Sequence, residues 1–119
     1  MNLFKVTVTE PTRPGVEYLL SEKKFLNHGE VNVFLRTSIF YISEIELVEE
    51  NVLLASDDLL PAYKVFEITF MGGESVMIYT PPSFILNVQK INEMLPEKFR
   101  NEQLIWVKEL YFCKLLKEN

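Results

Sequence analysis

Residues 65–79, VFEITFMGGESVMIY, constrain this chain more than any other stretch. Two runs of β-branched and aromatic residues flank a glycine pair, which is the signature of an antiparallel hairpin. Loop length then sets the register, and a slip of one residue turns every side chain to the opposite face. A loop of Gly72 and Gly73 alone would put Phe66 and Ile68 on a face with Met77 and Tyr79. A three-residue loop of Met71, Gly72 and Gly73 instead pairs Ile68 with Val76 and Phe66 with Ile78, giving one consistent aliphatic face and calling for a left-handed glycine. The other face then carries Tyr63, Glu67, Met77 and Tyr79. A chain with this hairpin is building a sheet.

The rest of the chain supplies more strands. Asn2 to Thr9 alternates Phe4, Val6 and Val8 with Lys5, Thr7 and Thr9, and Val16 to Leu20 resumes after the proline- and glycine-containing break EPTRPG. SEKKFLNHGE reads as a loop or the twisted end of that strand. In VNVFLRTSIFY, residues 31–41, strand parity sets Val31, Val33, Leu35, Ile39 and Tyr41 on one side and Phe34, Arg36 and Phe40 on the other. The aliphatic parity continues to Ile45 and Leu47, too long for one straight strand, so a bend is expected near Thr37 and Ser38. NVLLASDDLLP fits either a short helix or a loop.

One helix is expected near residues 81–95, in TPPSFILNVQKINEMLP. Thr80 can cap it, Pro81 suits its first position, Phe84, Val88, Ile91 and Leu95 share a stripe, and Pro96 stops it. EQLIWVKELYFCKLLKEN reads as a strand running into a frayed tail, with Trp106 and Tyr111 placed in the core. No repeat, low-complexity segment or dividing linker is evident, and 119 residues suit a single domain, 1–119.

Composition narrows the function classes. Hydrophobic residues make up 48% and charged residues 24%, which argues for a globular chain rather than a disordered one. A lone cysteine, Cys113, permits no internal disulfide and suggests a reducing compartment; with no secretory or spanning pattern, the cytoplasm is the expected location and no membrane is expected. Seventeen acidic against twelve basic residues give a net charge of -5, which disfavours nucleic-acid binding by bulk charge. The charge is uneven, however, with six acids between Glu44 and Asp58 and a basic set of Lys5, Arg13, Lys23, Lys24 and Arg36 earlier.

Catalytic constellations are not evident. His28, the sole histidine, lies in a glycine-containing loop and reads as a surface residue, and Cys113 among large apolar neighbours reads as an inert buried thiol. Adjacent Asp57 and Asp58 point apart on any regular element and suit a turn or helix cap better than an acid pair. GGE lacks the spacing of a phosphate loop. The chain is therefore read as a non-enzyme, with no cofactor and no metal.

Binding remains. Phe34, Arg36 and Phe40 on one parity, with Lys5 and Tyr79 from other outer faces, offer aromatic rings for bases and cations for phosphates; the competing reading buries that face inside the fold. Short bent strands, glycine hairpins, one interposed helix and an aromatic-basic strand face resemble the small five-stranded antiparallel oligonucleotide-binding barrels of single-stranded DNA-binding proteins, including those of bacteriophages. The resemblance is architectural and covers most of the chain. It implies a non-catalytic protein, in the host cytoplasm if phage-encoded, that coats single-stranded DNA in replication or recombination, works beside the proteins of those processes and assembles as a homo-oligomer. The terminus KLLKEN departs from the acidic, aromatic-ended tail of cellular members, which puts recruitment of replication partners through the C-terminus in doubt. Two other functions fit the same residues. One is a small protein-interaction or inhibitor module whose acidic segment Glu44 to Asp58 meets a basic surface; the other is a pocket for a small anionic or nucleotide ligand at a subunit interface.

Overall fold

A computed structural model describes residues 1–54, 59–99 and 104–116. In chain order its elements are β1 (Asn2–Val8), β2 (Gly15–Ser21), α1 (His28–Leu35), β3 (Ile42–Glu49), β4 (Leu53–Leu54), β5 (Ala62–Phe70), β6 (Ser75–Thr80), α2 (Val88–Met94) and β7 (Leu104–Leu115). The chain is mainly β, as expected. It is not a five-stranded antiparallel barrel: there are seven strands among the described residues, and two of the pairings, β2 with β7 and β4 with β6, are parallel. Packing divides the chain into two compact units, Met1–Val52 with Cys113–Asn119, and Leu53–Phe112.

In the first unit the strand order is β3-β1-β2, followed by the end of β7. Phe4, Val6 and Val8 form the buried parity anticipated for β1, and they pack with Leu19, Leu26, Ile42 and Leu116 against Val31 of α1. The expected strand from Val31 to Tyr41 is instead a helix followed by a single 3-10 turn at Ile39–Tyr41. The cause is local. Asn27 Oδ1 accepts from Glu30 N–H at 2.7 Å while Glu30 Oε1 accepts from Asn27 Nδ2 at 2.8 Å, a reciprocal cap that starts a helix. Val31, Phe34 and Leu35 then fall at helical spacing on one side, toward the sheet. Arg36 ends the helix in the left-handed region at φ 56° and ψ 40°.

In the second unit the order is β7-β5-β6-β4. The glycine hairpin has the expected register, with Phe66 opposite Ile78 and Ile68 opposite Val76, and Gly73 takes φ +87°. Gly73 N–H donates to Phe70 O at 2.9 Å, and Phe70 N–H to Glu74 O at 2.9 Å. Tyr63 and Tyr79, expected on an outer face, are fully buried. The helix is shorter than the stretch 81–95. Thr80 still belongs to β6, Phe84 N–H closes a turn onto Pro81 O at 3.0 Å, and the cap is Asn87, whose Oδ1 accepts from Gln89 N–H at 2.9 Å. Ile91 and Leu95 are buried from the expected stripe, Phe84 packs alongside, and Val88 is exposed. β7 bears out the expected C-terminal strand, but its Trp106 is exposed. Asp57 and Asp58 lie outside the described residues.

No repeat is evident in the sequence, yet the order of elements recurs. β1-β2-α1-β3 and β5-β6-α2-β7 have the same element order, and in each the third strand lies beside the first. Each helix is capped by an asparagine, and each is followed by a 3-10 turn. The fourth strand of each unit is equally matched: Lys114 and Leu115 run parallel to Leu19 and Leu20, as Leu53 and Leu54 run parallel to Ile78 and Tyr79. β4 follows β3 in the chain, and Lys114 and Leu115 close β7, so each unit is completed by chain that continues from the other unit's third strand.

Candidate functional site

The first unit contains a cleft of about 420 Å³ between the connection from β1 to β2 and the end of α1. Val8, Phe34 and Leu35 supply apolar wall, and three cations, Arg13, Arg36 and Lys114, stand around it. Prolines flank Thr12 and Arg13 in EPTRPG, holding the connection out as a rim. Glu10 fastens that rim to the helix end. Its Oε2 accepts from Thr37 Oγ1 at 3.0 Å and from Arg13 Nη2 at 3.3 Å. Further along, Tyr41 O accepts from Thr9 N–H at 2.7 Å, tying the 3-10 turn to the base of the same connection.

The cations differ in how they are compensated. Arg13 is paired with Glu10, and Lys114 Nζ lies 3.8 Å from Glu17 Oε2, a loose and exposed contact. Arg36 is exposed and meets no carboxylate among the described residues. Its left-handed backbone favours glycine, and a side chain there costs on the order of 1 kcal/mol. That conformation ends the helix, with Arg36 N–H donating to Asn32 O, and it sets the side chain at the mouth of the cleft.

The five residues singled out from sequence are only partly brought together. Phe34 and Arg36 line the cleft, though on a helix and its cap rather than on a strand. Phe40 lies three residues past Thr37 in the 3-10 turn and is 90% exposed. Lys5 is half-buried on the sheet face opposite the α1-covered core, in register with Glu46 of β3 and Tyr18 of β2. Tyr79 belongs to the second unit's interior. Sequence reasoning missed Glu10, Arg13 and Lys114 as site residues. The rigid EPTRPG connection was the available signal for the first two, and nothing local marks Lys114.

Other chemistry is sparse. Cys113 is buried, His28 opens α1 in an exposed position, and no group of three or more His, Cys, Asp or Glu able to hold a metal occurs among the described residues. No described helix is long and apolar enough to cross a membrane. Exposed apolar side chains are frequent, with Phe25, Val33 and Phe40 in the first unit and Ile85 in the second each mostly in solvent. Comparison with protein-family models, curated proteins and solved structures gives no match to the chain.

Proposed function

We propose that the protein is a non-catalytic binding protein that holds single-stranded DNA at the cleft of its first unit, with Phe40 as a stacking ring beside it. The supporting observation is the convergence of Arg13, Arg36 and Lys114 on a cleft walled by Phe34. Phosphates need cations that are not already neutralised, and Arg36 is one. Bases need flat apolar faces, and Phe34 and Phe40 offer one half-buried and one open ring. An acidic chain can bind a polyanion only through such a local cluster. With at most three phosphate contacts, log affinity should fall against log salt with a slope of about -2. Strands exposed in replication or recombination are the natural targets of such a protein.

A second reading has its own observation. Phe40 and Phe25 are 90% and 85% exposed, and β3 presents exposed Glu44 and Glu46, which suits a protein partner with an apolar patch and a basic rim. Fluorescence anisotropy of a labelled oligothymidine, titrated at two salt concentrations, separates the two. Salt-sensitive binding that weakens in Arg36→Ala supports the first reading. A flat titration at low salt, with a nuclease-resistant pull-down dependent on Phe40, supports the second.

A further inference from the structure

We infer that the two units are copies of one ββαβ module of which only the first binds ligand: its cleft takes a group of mononucleotide size carrying one phosphate, while the second copy is closed by its own side chains. The inference rests on the preceding reading that the cleft is the binding site, and it adds which copy binds and what a single cleft accommodates.

Corresponding positions follow from register. Val6 faces Glu17 as Ile68 faces Val76, so the next inward residues, Val8 and Phe70, correspond. Leu19 and Ile78 correspond in the same way, and so do their parallel partners Lys114 and Leu53. Aligned on their capping asparagines, Asn27 and Asn87, the helices set Leu35 opposite Leu95 and Arg36 opposite Pro96. Leu19 and Ile78 are both buried, but at the positions of Val8, Lys114 and Arg36 the first unit keeps space or charge that the second lacks. Val8 borders the cleft, whereas Phe70 lies under Phe99, the rings stacked 5.0 Å apart and 5° from parallel. Lys114 becomes Leu53, packed against that core, and exposed Arg36 becomes the uncharged, half-buried Pro96. The connection between the first two strands is six residues (9–14) in the first unit and four (71–74) in the second, and the longer one carries Glu10 and Arg13. After α1, the 3-10 turn directs Phe40 outward; after α2, the corresponding connection sends Phe99 inward.

The second unit therefore shows that this module packs well with the cleft closed. Leaving it open in the first unit forgoes apolar burial. Features of that kind persist where a ligand uses them. The differences between the copies converge on one place, and what they introduce there beside an apolar wall is Arg36, together with the pairs Arg13–Glu10 and Lys114–Glu17. A single phosphate with an attached base satisfies both, with Arg36 on the phosphate and Phe34 against the ring.

The test is an amide-shift NMR titration of the full chain with thymidine 5′-monophosphate. Perturbations should gather at Val8, Val16, Phe34 and Thr37 and spare Phe70, Met94 and Leu53. Arg36→Ala should weaken the interaction at least tenfold. Val8→Phe, which transfers the second unit's ring into the first, should do the same while leaving the second unit's resonances in place. If Val8→Phe does not fold, Lys114→Leu at the cleft rim replaces it, with a loss of at least threefold expected. Shifts spread equally over both units, absent shifts, or variants that bind as the parent does would overturn the inference. The two readings fail separately. Nucleotide binding without oligothymidine binding removes the strand-coating function and leaves the cleft assignment; oligothymidine binding indifferent to Arg36→Ala and Val8→Phe removes the cleft assignment alone.

Discussion

Two phenylalanines of this chain should respond in opposite ways to the same substitution. Phe40 is 90% exposed and Phe99 is 6% exposed. A phenylalanine buries on the order of 200 Å² when fully enclosed, and each Å² of apolar surface is worth about 25 cal/mol. A tenth of that area makes Phe40→Ala cost about 0.5 kcal/mol. Nearly all of it makes Phe99→Ala cost about 4 to 5 kcal/mol, within the range found when buried aromatic residues are truncated in cores, and the stack on Phe70 is lost with it. Urea denaturation followed by far-ultraviolet circular dichroism measures both. Binding should reverse the order of importance: a stacked base is worth about 1 to 3 kcal/mol, so Phe40→Ala should weaken oligothymidine roughly 5- to 150-fold. A Phe40→Ala variant destabilised by more than about 1 kcal/mol would show the ring to be packed. Unchanged affinity in a fully folded Phe40→Ala variant would remove it from the binding surface.

Further outcomes test the fold. Asn87→Ala removes a cap that accepts from two backbone N–H groups and should lower stability by about 1 kcal/mol, read from the denaturation midpoint. Gly73→Ala should cost about 1 kcal/mol or more because φ is +87°, and Gly72→Ala, whose φ is ordinary and whose side chain would meet open space, should cost much less; equal losses would contradict the observed turn. Cys113 should be silent to a thiol reagent in the native protein and titrate as one thiol in denaturant, and fast native labelling would contradict its burial. A chain cut at a protease site placed between Leu54 and Leu59 should still elute as one species, because each fragment carries a strand that belongs to the other unit; separate peaks under native conditions would contradict the reciprocal pairing.

Where neighbouring residues decide the conformation, the sequence was readable. The β5–β6 register followed from one requirement, an aliphatic face closed by a left-handed glycine, and β1 followed from strict alternation. VNVFLRTSIFY failed because its β-branched and aromatic residues satisfy both periods over so few residues. Val31, Val33 and Leu35 alternate, yet Val31, Phe34 and Leu35 also lie on one helical face. The Asn27–Glu30 cap outside the segment decided between them, and it is visible in LNHGE once a helix is considered. Thr80 and Pro81 imitated a helix start in the same way, while pairing with β5 kept Thr80 in the sheet. Of the five residues named as a binding face, Phe34 and Arg36 line the candidate cleft, though not through strand parity. Their shared strand face does not exist, but one turn of helix and its cap bring them to the same cleft. Lys114 could not have been found, since its place there depends on a parallel pairing with Leu19, 95 positions away (114 minus 19).

The proposed duplication has a short trace in the chain. FLNHGEVNVFL at 25–35 and ILNVQKINEML at 85–95 share Leu, Asn, Asn and Leu at a constant spacing of 60 residues, and the shared residues include the cap and the last turn of the helix. Little else coincides, because the same backbone positions came to serve different ends. Where the second copy packs, Phe70 and Leu53 fill it; where the first keeps its cleft, Val8 and Lys114 stand instead. The helix cap that both units need to fold is thus among the few residues they share. The reciprocal fourth strand gives a reason for the copies to remain in one chain. Neither unit can pair the outer edge of its second strand without residues that follow the other's third, so losing the closed copy would also remove the strand that carries Lys114 to the open one.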